Sequence, residues 1–253
     1  MESKVFDRIE KKYLVTAEQK RALLKLIKHN MKKDGYHKSG VMNLYFDNDQ
    51  YDLTIQSIDW VDFKEKVRAR SYDGYDRVFM EVKTKTKPPK QLEKHQEYED
   101  QEDNIGYKRR VMITHDDFNE LINHNTTLEN LAKRSIETEN DIQIAKEIDY
   151  LIQRFDLKPK IYISYDRESY KDEHGLRITF DEHLKYRDKN LSFIKGKRDK
   201  IYFKDDRNIV MEVKADGVMP LWLVHKLSEL EIYPQQFSKI GKIYQIIKKG
   251  TYV

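Results

Sequence analysis

Apolar and charged residues alternate strictly in five separated stretches of the chain, a two-residue period that a β-strand sorts onto two faces. In Lys64–Ser71 the residues Lys64, Lys66, Arg68 and Arg70 share one face, while Val67 and Ala69 share the other. In Val78–Lys85 the apolar face is Val78, Met80 and Val82, and the charged face is Glu81, Lys83 and Lys85. Leu176, Ile178 and Phe180 alternate with Arg177, Thr179 and Asp181, and Ile209, Met211 and Val213 alternate with Glu212 and Lys214. Near the start, Arg8, Glu10 and Lys12 alternate with Ile9 and Tyr13.

Like charges aligned on a strand repel by a few tenths of a kcal/mol up to about 1 kcal/mol unless counter-charge intervenes. A chain that repeats this arrangement strand after strand favours an anion beside those faces. A sheet closed into a barrel could line its interior with them and turn its apolar faces outward against helices. Such an interior would surround a polyanion with Lys and Arg, and its interspersed Glu residues are hard oxygen donors for a divalent cation.

The remaining segments supply helices and connections. Thr16 with Gln19 forms a capping-box pattern that opens a helix to about Met31. Strands are expected over Val41–Asp47, Trp60–Tyr72 and Asp76–Lys85, the last two joined across Asp73-Gly74. Lys87-Pro-Pro-Lys90 breaks the sheet, and the acidic run Glu93–Asp103 reads as a loop or irregular strand. A strand over Ile105–Thr114 follows, with Thr114 capping a helix over Asp116–Asn123. Helical spacing marks Glu139–Phe155. Strands return over Lys160–Tyr170, through Phe180 after a turn near His174-Gly175, and over Asn208–Asp216; Pro220 and Phe237–Lys248 mark two closing helices.

Composition narrows the classes. The 253 residues are 36% charged and 38% hydrophobic, yet 17 Tyr, 10 Phe and 2 Trp argue for a folded chain. The net charge of +4 is too small to identify a partner. The longest stretch without Asp, Glu, Lys or Arg is the nine residues Gly217–His225, far short of the roughly 20 that span a bilayer. No membrane segment is expected, and Met1-Glu-Ser-Lys4 leads into no apolar signal region. The absence of Cys removes disulfides, thiolate metal sites and cysteine nucleophiles, consistent with a cytoplasmic location. The eight His show no metal-ligand spacing. Glu residues interleaved with the cations oppose a nucleic-acid backbone, so no nucleic acid is expected as a partner. No solenoid repeat and no linker divides the chain, which reads as one domain over residues 1–253.

Arg8-Ile-Glu-Lys-Lys-Tyr13, Tyr45-Phe-Asp47, Lys66-Val-Arg-Ala-Arg70, Glu81-Val-Lys83, Tyr107-Lys-Arg-Arg-Val111, Ser164-Tyr-Asp-Arg167, Arg177, Glu212-Val-Lys214 and Ser238-Lys239 together resemble the VTC domain. That family is the polyphosphate polymerase branch of the triphosphate tunnel metalloenzymes, related to the CYTH domains. The resemblance runs in order from about Asp7 to Ile247, and the order of the motifs carries its specificity.

The resemblance implies an α+β fold, a closed antiparallel barrel of about eight strands with helices packed outside. It also implies that Lys12, Arg68, Arg70, Lys83, Arg167 and Arg177 bind phosphate, with Tyr165, Ser238 and Lys239 as further contacts and Lys108 and Arg110 lining the tunnel. Glu212 would hold Mn²⁺ or Mg²⁺, with Glu10 as a second metal candidate. The superfamily's fuller opening motif is E-x-E-x-K, and Arg8 stands at its first Glu, a departure that suits the VTC branch better than a metal-dependent triphosphatase. The implied reaction passes the γ-phosphate of ATP to a growing polyphosphate chain, with Arg167, Arg177 and Glu212 at the transferred group. The same tunnel could serve a tripolyphosphatase or nucleoside triphosphatase, or a binding module for polyphosphate or inositol polyphosphates.

Overall fold

Each of the five alternating stretches is a strand. The structure is a computed structural model, and it describes residues 8–59, 62–86, 105–123, 126–135, 138–193, 199–203 and 207–249. In chain order the elements are β1 (Arg8–Val15), α1 (Ala17–Asn30), β2 (Lys32–Asp47), α2 (Asp52–Ile58), β3 (Phe63–Tyr72), β4 (Val78–Thr86), β5 (Ile105–Ile113), α3 (His115–Ile122), α4 (Leu128–Ser135), α5 (Glu139–Phe155), β6 (Lys158–Lys171), β7 (Arg177–Arg187), the two-residue β8 (Lys200–Ile201), β9 (Ile209–Asp216), α6 (Leu221–Glu229) and α7 (Lys239–Lys249). None of these helices is long and apolar enough to cross a membrane. Trp60, the break at Lys87–Lys90 and the run Glu93–Asp103 lie outside the described residues.

Local signals set the helices that were expected. The Thr16 hydroxyl accepts from the Gln19 amide at 3.1 Å and Gln19 returns the contact at 2.9 Å, so α1 opens on a reciprocal cap. Thr114 and Asp117 do the same for α3. Two helices were not expected. The amides that open α2 belong to Leu53 and Thr54 and donate to Asp47 at 3.1 and 2.8 Å. Those of α4 belong to Leu128 and Glu129 and donate to Asp149 of α5 at 2.9 and 2.7 Å. In both, the capping carboxylate comes from another element; α4 also has a local cap, the Thr127 hydroxyl accepting from the Asn130 amide at 3.2 Å, which the sequence reading left unused. β2 starts at Lys32 rather than Val41, because Lys32–Ser39 is polar on both faces and shows no alternation.

The strands form one antiparallel sheet in the order β1-β9-β7-β6-β2-β3-β4-β5, with β8 added beside β7. Among the described residues the expected barrel is not closed by hydrogen bonds, because β1 and β5 end the order without pairing to each other. The sheet nevertheless curls. β1 and β4 lie six strand spacings apart along this order, about 29 Å if the sheet were flat. Yet Glu10 of β1 reaches Lys83 of β4 at 3.9 Å. The two ends therefore face each other across a concave surface. Gln235 donates its amide to the Lys12 carbonyl at 2.8 Å, so the segment before α7 partly covers the β1 edge.

The convex face holds two apolar cores. Leu44, Val67, Met80 and Val82 pack with Phe118, Leu131 and Ile148 of α3, α4 and α5. Tyr13, Ile178, Phe180 and Met211 pack with Leu23, Ile27 and Leu223 of α1 and α6. Each such side chain contributes about 1.5–3 kcal/mol on burial. A third cluster corrects the expectation that all helices lie outside. Val41, Ile161, Ile163 and Tyr165 interrupt the concave face with apolar surface, and α7 docks there through Ile240, Ile243 and Tyr244. The alternation is charged on that face only where α7 does not cover it.

Candidate functional site

On β3 and β4, alternate residues put Arg68, Arg70, Glu81 and Lys83 on the concave face, with Arg68 directly opposite Glu81. Arg68 Nε donates to Glu81 at 2.7 Å, and Lys108 of β5 approaches the same carboxylate at 2.5 Å. Burial pushes the Glu81 carboxyl up, but Arg68, Arg70 and Lys108 outweigh it and hold it at about 2. Arg70 is buried and donates through Nε to Asn43 at 2.9 Å. Its charge therefore meets a neutral partner there.

The same sharing recurs on β6, β7 and α7. Asp181, with no exposed surface, accepts from Arg167 Nε at 2.6 Å and from a terminal nitrogen of that guanidinium at 2.8 Å. Lys239, the first residue of α7, lies 2.6 Å from its second oxygen. Burial raises the Asp181 carboxyl, and Lys239 and Arg167 more than reverse this. Tyr165 is held between them, its ring 5.3 Å from the Arg167 guanidinium and 4.8 Å from the Lys239 ammonium. Burial opposes ionisation of its phenol, but Arg167, Arg70 and Lys239 draw it below its ordinary range.

Glu10 and Glu212 come together on β1 and β9 around one ammonium. Lys214 lies 2.8 Å from Glu212 and 3.6 Å from Glu10, while Lys12 and Lys83 approach Glu10 at 3.6 and 3.9 Å. Burial raises the Glu212 carboxyl, and Lys214, Lys12 and Lys239 drive it far below the carboxylate range. Glu10 is also lowered: burial and Glu212 oppose its ionisation, and Lys83, Lys214 and Lys12 prevail. Two ionised carboxylates that already share a cation are a fitting donor set for Mg²⁺ or Mn²⁺. No cluster of three acidic or His ligands exists among the described residues. A hard cation here would complete its shell with phosphate oxygens and water, as Mg²⁺ commonly does.

Towards one mouth the arginines give way to lysines. A cavity of about 500 Å³ is lined by Lys12, Lys64, Lys66, Lys83, Lys85 and Lys242, with Glu10 the only carboxylate among the described residues that line it. Burial first, and then the neighbouring cations, bring Lys66 down to about 7. Burial lowers Lys83 to about 8, with Glu10 opposing the shift. Lys12 also donates to the Phe237 carbonyl at 3.2 Å and Lys66 to Ser238 Oγ at 3.4 Å, so the segment leading into α7 forms one wall.

Of the residues expected at the site, Lys12, Arg68, Arg70, Lys83, Lys108, Arg167, Lys239, Tyr165, Ser238, Glu10 and Glu212 surround this concave space. Two share this face but make their contacts at its margin: Arg177, at the start of β7 and opposite Lys214, turns to Asp34 at 3.0 Å, and Arg110, on the end strand β5 and opposite Glu81, lies over the Phe79 ring at 4.9 Å. Glu81, Asp181, Lys66 and Lys214 belong to the cluster but had no role assigned. The alternation already put them on the charged face; which cation each one meets depends on strand register.

The VTC domain family profile matches residues 7–247. No curated relative matches in sequence. Among solved structures, the Hippeastrum protein HpAC1, described as an adenylyl cyclase candidate with a dominant triphosphatase activity, is 16% identical with a TM-score of 0.55, over 97% of each chain. The PH1819 protein from Pyrococcus horikoshii is 13% identical with a TM-score of 0.46, over 96% of this chain and 99% of its own. An adenylate cyclase candidate from Vibrio parahaemolyticus is 12% identical with a TM-score of 0.43, over 94% and 98%. At 16% identity the likeness to HpAC1 is one of fold alone. The profile match spans nearly the whole chain, with the charged strands inside it, and the chain belongs to the VTC domain family.

Proposed function

We propose that the protein transfers the γ-phosphate of ATP to a growing polyphosphate chain within a single cationic tunnel domain. The observation that carries this reading is the sharing of carboxylates: Glu81 by Arg68 and Lys108, and Asp181 by Arg167 and Lys239. Each set retains one uncompensated positive charge, repeated across the concave surface, as a linear polyanion requires.

Phosphoryl transfer of this kind needs little covalent chemistry from protein, because charge develops on phosphate oxygens that fixed cations can meet. Arg68, Arg70 and Lys108 would hold the nucleotide phosphates. Arg167 and Lys239, held by Asp181, would orient the transferred group. Arg177 stands at the strand end beside Asp34 and would act at the tunnel mouth. Glu212 and Glu10 would hold Mg²⁺ or Mn²⁺, which would supply neutralisation of the charge on phosphate oxygens. Lys214 would then be displaced from between the two carboxylates.

Incubation of purified protein with ATP and Mn²⁺, followed by separation of long polyphosphate from free phosphate, tests the reading. Long chains with matching ADP are expected. Free phosphate alone would make the protein a triphosphatase, and binding without turnover would make it a polyphosphate-binding module.

A further inference from the structure

Among the described residues, Lys66 lacks the carboxylate partner that the paired cations of this site have. Its neighbours Lys12 and Lys83 each approach Glu10, Arg68 has Glu81, Lys239 has Asp181, and Lys214 has Glu212. Lys66 has no carboxylate partner among the described residues, and its one polar contact is the long one to Ser238 Oγ at 3.4 Å. It projects from the middle of β3, directly across from Lys83, into the cavity of about 500 Å³. The groups that face it are Glu10 and Lys12 on β1, Lys64 and Arg68 on β3, Lys83 and Lys85 on β4, and Ser238 with Lys242 at α7. Seven of these eight are charged, and six are cations.

We propose that Lys66 is a variable-charge phosphate contact, neutral in a large share of the empty tunnel and completed as an ammonium when a phosphate chain enters the lysine-lined mouth. This rests on the phosphate-transfer reading above and deepens it by naming the residue that links occupancy to protons. The physical basis is burial first and then repulsion from the neighbouring cations, with no carboxylate paired to Lys66 among the described residues. An amine half-buried among cations holds a proton weakly, and its value near 7 agrees with that geometry. An entering polyphosphate supplies the missing anion, so the same amine binds its proton tightly and donates to a phosphate oxygen. By linkage, phosphate binding then takes up protons, and affinity falls as pH rises through neutrality.

The test is calorimetry of tripolyphosphate binding to the whole chain, with EDTA present, in buffers of different ionisation heat between pH 6.5 and 9. Comparing wild type with Lys66→Arg removes the protons that tripolyphosphate itself gains or loses. Arg keeps its charge across this range. Wild type should take up as much as one proton more per ligand near pH 8, and Lys66→Arg should bind with a shallower pH dependence. Lys66→Met provides a second variant: it should lose the same uptake and bind roughly ten- to a hundredfold more weakly at pH 6.5, with the deficit shrinking towards pH 9. Equal proton numbers in wild type and either folded variant would overturn the proposal while leaving the functional reading intact. Absence of tripolyphosphate binding by wild type would overturn both.

Discussion

The Lys239 ammonium lies 2.6 Å from Asp181 Oδ2 and so fastens the first residue of α7 to the middle of β7 on the concave face. Docking of the closing helix and neutralisation of the site thus depend on one buried carboxylate. Asp181→Asn leaves Arg167 and Lys239 without their counter-charge, and removing one partner of a buried pair costs about 3–5 kcal/mol. Urea unfolding should show a loss of that order in the ligand-free protein. Added tripolyphosphate should stabilise this variant more than wild type, since the anion replaces the missing charge. An unchanged midpoint would mean that water already screens the pair.

Arg68 and Arg70 project from the same strand face but have different partners, Glu81 and Asn43. Arg68→Ala leaves Glu81 facing the ligand with Lys108 alone, so it adds repulsion to the lost contact. It should weaken tripolyphosphate binding by about 3 kcal/mol, against about 1.5 kcal/mol for Arg70→Ala. Replacing both should cost several kcal/mol with the circular dichroism of the fold preserved. Equal losses for the two single variants would show that Glu81 does not face the bound anion.

Glu212→Gln removes one of the two carboxylates around Lys214. Metal-dependent turnover should collapse, because a hard cation loses a charged oxygen donor. Binding of phosphate chains without metal should persist or tighten, since one negative charge has left a cationic surface. Titrating ATP turnover against Mn²⁺, in parallel with metal-free calorimetry, separates the effects. Full activity in this variant would leave Glu10 as the leading ligand and make Glu212 a structural partner of Lys214.

The acid limb of stability follows from Glu81. Its carboxyl is held at about 2 in the fold against an ordinary 4.5, so the unfolded chain takes up its proton first as pH falls. The stabilisation is complete above about pH 4.5 and is lost progressively as pH drops towards 2, on the order of 3 kcal/mol. Glu81→Gln should flatten that part of the pH–stability curve measured by chemical denaturation. A wild-type curve matching the variant between pH 5 and 2 would remove Glu81 as the source.

Which residues share a face was legible in the sequence, and which residues meet was not. Alternation is a local property, so Lys66, Arg68 and Arg70 were placed together, and Glu81 with Lys83, from the period of two alone. The capping boxes at Thr16 and Thr114 act within one turn and were equally readable. α2 was not, because Asp47 caps it from another element; α4 was missed although Thr127 caps it locally, and its first two amides are met by Asp149 of α5. The apolar patch that receives α7 was hidden for a related reason: Val41, Ile161 and Ile163 give an ordinary strand pattern until register sets them beside Arg70 and Asn43. The pairings of Arg167 with Asp181, Glu10 with Lys83, and Arg177 with Asp34 span 14, 73 and 143 residues. Only the curl of the sheet and its strand order bring them within reach, because Coulomb attraction selects among neighbours that the backbone has already made adjacent. The sequence by itself determined a charged, antiparallel sheet suited to a polyanion; the tertiary structure decided which cations are neutralised, which two carboxylates can share a metal, and that Lys66 has no carboxylate partner among the described residues.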